Sequence, residues 1–448
     1  MLRKGRKTVV SLLLATVMTF SLIPHFFRGS VEINAAVNGD GTDEVNEAYH
    51  RKLNLQPLAP AFRYDTMMAF DPEKDPDAKY NRATVPLAKR FQGVKINPLA
   101  SEKARITSCA IMSWNHDQAG SNGGDDFNVY AFDNWQLLDS LIFWAGTDEG
   151  IFALPSPDVV NAAHRNGVPV YATVGFPWGG GHSDSIAELR KMCSKEFAEK
   201  MADIAIYYGF DGYFFNQETS GCTEQDSKNL AEMLKHFKRY AKSKGHDLKI
   251  SWYDSMANSG SVNYQNAVNS KNDIWVKPDD DGIYAVDEFF MNYNWGSYQV
   301  EETVNTMNGL GRDPYDAYAG LEVQQRGYKT RLSNLPTLLD NNKQARLSIA
   351  LYAPNGTMGS AASPSEFYKE EEMFYTGPQG DPSKADDSAE WKGMARFVAD
   401  KSSIIGDKFI SRFVAGHGKN FYKNGKEVRK VSGITVPYRA SCQHGDGG

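Results

Sequence analysis

Residues 211–218 read Asp211-Gly212-Tyr213-Phe214-Phe215-Asn216-Gln217-Glu218, an apolar run that ends on a carboxamide and a carboxylate two positions apart. Side chains at i and i+2 of a strand share one face. Asn216 and Glu218 would therefore point the same way, with Glu218 nearer the rim. Glycoside hydrolysis usually needs two carboxylates, one as general acid and one as nucleophile or base. Here the second partner is an amide, which cannot be a nucleophile. It can hold and polarise a 2-acetamido group on the substrate, whose own carbonyl oxygen then attacks the anomeric carbon, the substrate-assisted exception to the two-carboxylate scheme. Glu218 would protonate the leaving oxygen and later activate water, which calls for a pKa raised by apolar surroundings. Spacing alone also fits two solvated residues at a strand-to-loop corner.

The elements that must carry this pair form a repeating series. Short apolar runs at 106–114, 141–145, 169–176, 212–218, 248–254, 288–295, 317–323 and 347–353 alternate with helical patterns over 158–165, 183–208 (in two pieces), 225–244, 300–310 and 335–344. Several runs are apolar on both faces, as buried parallel strands are. The series predicts an α/β fold, a (β/α)8 TIM barrel over residues 96–408, whose catalytic groups lie at the C-terminal ends of strands and in the loops after them. An open doubly wound sheet would want a Gly-rich first turn opening a helix, and there is none. Residues 37–95 read as a linker and a Pro-rich N-terminal wrap. Residues 409–431 read as the start of a truncated β-sandwich domain, and 432–448, without strand periodicity, as an out-of-frame or irregular tail.

Composition narrows the function. The chain has 448 residues, 41% apolar and 23% charged, with a formal net charge of −6. That is enough for a sizeable core, and it disfavours a nucleic-acid partner. An aromatic share of 12% suits a cleft that binds sugar rings. The cysteines, Cys109, Cys193, Cys222 and Cys442, contain no pair two or four apart, so neither a zinc ribbon nor a disulfide framework is indicated. Walker, HExxH and GxSxG motifs are missing, which narrows hydrolysis to carboxylates. No cofactor is expected, since neither half of the reaction calls for redox chemistry or a Lewis acid. Arg3, Lys4, Arg6 and Lys7 before a mostly apolar stretch, with Asn34-Ala35-Ala36 behind it, have the layout of a cleaved signal peptide over 1–36. This implies a secreted or cell-surface protein. The stretch is broken by Ser11, Thr16, Thr19 and Ser21 and falls short of a membrane span, so none is expected in the mature chain.

The chain resembles the glycoside hydrolase family 85 endo-β-N-acetylglucosaminidases. The resemblance rests on Trp135-Gln136-Leu137-Leu138-Asp139, Gly167-Val168-Pro169-Val170, the Asn-x-Glu pair of 212–218, Trp252-Tyr253-Asp254-Ser255-Met256, Met291-Asn292-Tyr293-Asn294-Trp295 and the 416–426 hairpin. It implies cleavage between the two N-acetylglucosamines of the N-glycan core, with N-linked glycans of glycoproteins as partners. Asn216 would orient the acetamido group so that an oxazolinium forms, and Glu218 would be the general acid/base. Tyr253 would hydrogen-bond the same acetamido group, against a plain reading as a core tyrosine. Asn292 lies in a matching stretch and is assigned to substrate binding. Trp295, Phe176 and Trp178 are read as sugar-stacking rings, with core burial or a loop plug as the bland alternative. His116 and Asp117 would bind glycan hydroxyls; no second His stands near His116, so a metal is not expected. The chain departs from the family at Glu322, where Asp is expected, and at Pro354-Asn355-Gly356-Thr357, which lacks a Trp.

Two other readings compete. A chitinase-like glycosidase would carry DxxDxDxE; Asp211 fits its first position, but Phe214 and Asn216 occupy the next two. A non-catalytic glycan-binding surface protein would keep the aromatic cleft without turnover, and an intact Glu218 argues against it.

Overall fold

The computed structural model describes residues 61–75, 78–92, 95–112, 130, 132–145, 151–324, 334–357, 361, 363–378, 380–384, 391–404, 420–423 and 426–430. Within them the eight apolar runs become strands β1 (Ile106–Ala110), β2 (Ser140–Phe143), β3 (Val170–Gly175), β4 (Gly212–Asn216), β5 (Lys249–Tyr253), β6 (Glu288–Met291), β7 (Ala317–Glu322) and β8 (Ser348–Tyr352). Each pairs in parallel with the next, and β8 returns to β1 with Ile349 opposite Ile106, so the barrel closes. Strand β2 meets β3 only at Leu141 and Ile142. Beyond that point an antiparallel Phe152–Ala153 takes its place beside β3 and is itself paired with Ala61–Phe62.

Helices follow the strands: α1 (Pro157–Arg165), α2 (Ser183–Met192), α3 (Lys195–Tyr208), α4 (Glu224–Ser243), α5 (Ser297–Gly309) and α6 (Pro364–Thr376). Their limits are written locally. Ser194 Oγ accepts from Phe197 N at the start of α3, which ends at Gly209 in the left-handed conformation at φ 79°. Thr223 and Asp226 cap α4 reciprocally, Asp226 N donating to the Thr223 hydroxyl and Thr223 N to the Asp226 carboxylate. The helix expected over 335–344 is corrected to a single 3-10 turn, Leu335–Leu338. Asp340 Oδ1 accepts from the backbone of both Asn342 and Gln344, a local alternative to helical bonding that turns the chain. Helix α6 was not among the expected helices.

Apolar side chains pack on both sides of the barrel wall. In β4, Tyr213 and Phe215 face the helices, the Tyr213 hydroxyl donating to Met201 O at 2.9 Å. Phe214 faces inward and packs with Tyr171, Tyr253, Phe290 and Tyr318. At the N-terminal end of the barrel the residue before one strand caps the strand beside it. Asp139 accepts from Ile106 N, Asp211 from Val170 N and Asp287 from Ile250 N, at 2.8–3.1 Å. These bonds satisfy amides at strand starts and fix the register that carries through to the opposite end.

Residues 83–88 cross the barrel on the side where α1 and α3 end, with Ala83 N donating to Tyr208 O and Ala88 N to His164 O. Phe91–Gln92 pairs antiparallel with Lys401–Ser402. Of the expected β-sandwich start, the described residues hold one antiparallel hairpin, Asn420–Lys423 with Lys426–Lys430. Residues 1–36 and 432–448 lie outside the described residues.

Candidate active site

Asn216 is the last residue of β4, and Glu218 stands where the strand breaks into its loop. Neighbouring segments hold this corner by its backbone. Phe176 N donates to Asn216 O at 2.9 Å, Gly179 N to Glu218 O at 3.0 Å, and the Ser255 hydroxyl to Gln217 O at 2.6 Å. Gln217 turns away from its neighbours, and its Oε1 accepts from Thr219 N.

Asn216 Nδ2 donates to Glu218 Oε2 at 2.8 Å. The Tyr264 hydroxyl, from the loop between β5 and β6, donates to Glu218 Oε1 at 2.6 Å. Glu218 is 1% exposed. Burial pushes its carboxyl above the usual glutamate range, and the bonds from Tyr264 and Asn216 oppose the rise without cancelling it. The Oδ1 of Asn216 is buried and meets no donor among the described residues. A raised carboxyl thus stands beside an open amide acceptor. This suits a group that gives up a proton and takes one back, next to an atom able to receive an N–H.

A second carboxyl follows the adjacent strand but is already engaged. Asp254, which follows β5, is buried and is pushed up to about 7 by that burial. Its Oδ1 accepts from Asn272 Nδ2 at 3.0 Å and Gln265 N at 3.3 Å, and its Oδ2 from Asn266 N at 2.5 Å and Asn292 N at 3.5 Å. Both oxygens are turned to the loop, so Asp254 is no free nucleophile. Asp211 is the capping residue at the opposite end of β4, where it also pairs with His164 Nε2 at 2.8 Å. Its match to a chitinase-like motif is therefore structural.

The Tyr253 hydroxyl donates to Asn292 Oδ1 at 2.8 Å, and both residues are buried. Tyr293 lies next to Tyr253, ring centroids 6.2 Å apart, and its buried hydroxyl meets no partner among the described residues. Trp178 is 43% exposed, which places it at the rim. Two expected stacking rings are corrected. Trp295 is 1% exposed in the outer core, and its indole N–H donates to Gly320 O at 2.7 Å. Phe176 is fully buried in the same core. Neither has a face to offer a sugar. His116 and Asp117 lie outside the described residues. Glu322 ends β7 half-buried, and Asn355 Oδ1 accepts from Ile111 N, tying the chain after β8 to the end of β1. Tyr264 and Tyr293 were missed as site residues. Tyr264 lies in a Ser- and Asn-rich loop with no periodicity to flag it, whereas Tyr293 sat unassigned within a recognised stretch.

A closed parallel barrel with a raised carboxyl and a carboxamide at the C-terminal end of one strand is the architecture of a glycoside hydrolase. The chain belongs to glycosyl hydrolase family 85, whose model matches residues 113–421. The glycoside hydrolase domain of Endo-D from Streptococcus pneumoniae is 34% identical, with a TM-score of 0.78 over 87% of this chain and 61% of that one. A cytosolic endo-β-N-acetylglucosaminidase of Gallus gallus is 27% identical over 374 residues, 81% of this chain and 45% of its own length. Cytosolic endo-β-N-acetylglucosaminidase 1 of Arabidopsis thaliana is 27% identical over 300 residues, 66% of this chain and 41% of its own. The chain thus spans less than half the length of these curated relatives. Their names overturn the secreted or cell-surface location inferred from the N-terminal pattern. Among the described residues no helix is long and apolar enough to cross a membrane.

Proposed function

We propose that the chain is an endo-β-N-acetylglucosaminidase that hydrolyses the β-1,4 bond between the two N-acetylglucosamines of the N-glycan core. The mechanism is retaining and substrate-assisted. One observation carries the reading: the unpartnered Oδ1 of Asn216 lies beside the raised carboxyl of Glu218, while the neighbouring carboxylate, Asp254, is fully engaged.

In the first step Asn216 Oδ1 accepts the acetamido N–H and polarises the amide. The acetamido carbonyl oxygen bonds to the anomeric carbon as Glu218 passes its proton to the departing glycosidic oxygen. In the second step the Glu218 carboxylate takes a proton from water, whose oxygen bonds to the anomeric carbon and restores the acetamido group. Two inversions give retention. An acceptor sugar in place of water gives transglycosylation. Tyr253 donates to Asn292 in this structure, so a bond from its hydroxyl to the acetamido group requires it to turn away from Asn292. Trp178 at the rim is the expected sugar-facing ring.

The test is mass spectrometry of an N-glycoprotein treated with the purified protein. One N-acetylglucosamine left on asparagine supports the reading. Intact glycans, or cleavage of chitin oligomers alone, would refute it.

A further inference from the structure

Tyr264 is not on a strand, yet its position is tightly determined. Asp254 receives the N–H groups of Gln265 and Asn266, the two residues after it, and the Asn272 side chain further along the same loop. Asn266 adopts φ 56°, a left-handed conformation that asparagine tolerates better than most other side chains. Asn266 Oδ1 accepts from Asn294 N at 2.8 Å, and its Nδ2 donates back to Tyr264 O at 3.3 Å. A buried carboxylate and a left-handed residue thus fix one turn, and that turn aims a phenol at Glu218.

We propose that Tyr264 is a positioning residue for the acid/base group: held by the Asp254-anchored loop, its hydroxyl donates to Oε1 of Glu218, orients the carboxyl and favours its ionised form. The proposal deepens the proposed function and rests on Glu218 being the acid/base. Among the described residues, Asn216 from β4 and Tyr264 from the loop bond Glu218, and Tyr253 from β5, Tyr293 after β6 and Tyr352 from β8 lie near enough to feel its charge. All are uncharged in their ordinary forms. Among the described residues, what opposes the burial of Glu218 is the pair of hydrogen bonds from Tyr264 and Asn216. The first step needs the proton on Glu218 and the second needs it gone, and a carboxyl left to burial alone would stall in the second.

The experiment compares pH profiles of wild type and Tyr264→Phe on two substrates, an N-glycopeptide and the preformed oxazoline of the released sugar. Losing a donor to the carboxylate raises its pKa. The acidic limb of oxazoline hydrolysis and the alkaline limb of glycopeptide cleavage should both move up by about one pH unit. On its acidic limb, oxazoline turnover then falls roughly tenfold while glycopeptide cleavage there is nearly unchanged. Profiles that superimpose on wild type overturn the proposal. A second measurement is independent of turnover: the titration of Glu218 followed by 13C NMR of carboxyl-labelled glutamate, its resonance identified by loss in Glu218→Gln. An unchanged midpoint in Tyr264→Phe likewise overturns it. If wild type cleaves neither substrate, the functional reading fails, and the NMR titration still decides the role of Tyr264.

Discussion

Asn216 and Glu218 are joined by a 2.8 Å hydrogen bond in which the amide gives its N–H to the carboxylate, and among the described residues nothing donates to the buried amide oxygen. A buried polar atom without a partner costs free energy, and a substrate acetamido N–H would relieve it. Asn216→Ala should therefore lower cleavage of intact glycopeptide by at least about 10²-fold, the scale of losing one preorganised polar contact. The preformed oxazoline, in which the acetamido group has already reacted, should still be hydrolysed. Initial rates on both substrates check this, and glycopeptide cleavage at the wild-type rate would show that the amide steers nothing.

Glu218→Gln keeps the shape of the side chain and removes its proton chemistry. Release of sugar should fall by about 10²- to 10⁴-fold, while glycopeptide binding, measured by calorimetry, is retained. Equal activity in the variant would remove Glu218 from the acid/base role and favour a different centre.

The barrel and the i, i+2 pair were legible in the sequence because they follow from local rules. Runs apolar on both faces, spaced by helical patterns, suit strands buried in a parallel sheet. The i, i+2 spacing put Asn216 and Glu218 on one side, where bonds from Gly179 and Ser255 hold the corner beyond the strand's end. The aromatic assignments were less legible, because they depend on what lies across the barrel. Trp295 reads as a platform at a strand end, but its N–H reaches Gly320 O on the next strand. A Cβ at Gly320 would lie 2.2 Å from Met291 O, so the two strands approach closely there. Nothing in the spacing says that Tyr264 meets a carboxylate 46 positions earlier. The expected helix at 335–344 failed for a local reason, the Asp340 side chain competing for backbone N–H groups. Helix α6 carried a readable start that was passed over, Ser363 capping Glu366 N with Pro364 in the first turn.

Stability should fall as pH rises from mildly acid to neutral. Burial pushes Glu288, inside the barrel, up to about 7, despite Arg105 nearby and bonds from Tyr171 and Ser140. It pushes Asp254 to about 7 and Glu371 to about 8. Between its unfolded and folded pKa each group holds more proton in the native than in the unfolded chain, so the free energy of unfolding decreases with pH in that window. The contribution is fully present below about pH 4 and lost as pH passes 7 to 8. Glu288→Gln, neutral throughout, should flatten part of this slope, by up to about 3 kcal/mol between pH 4.5 and 8. Urea unfolding of both proteins across that range checks it; parallel curves would mean that Glu288 does not titrate as its burial implies.

Gly212 opens β4 against the carbonyl of Lys249 on β5, and a Cβ there would stand 2.0 Å from that oxygen. The obstacle is backbone, held in register by the Asp287 cap on Ile250 N, so it cannot swing aside as a flexible side chain would. Gly212→Ala should force the two strands apart and cost about 2 kcal/mol or more in urea unfolding, within the range for overpacked cores. The same displacement is carried along β4 to Asn216, where an ångström of misplacement at a reacting centre costs about 10²-fold in rate. The variant should therefore lose turnover more steeply than its folded fraction explains. A variant with wild-type stability and turnover would show that this end of the barrel has slack and that the position of the pair is set by its own loop.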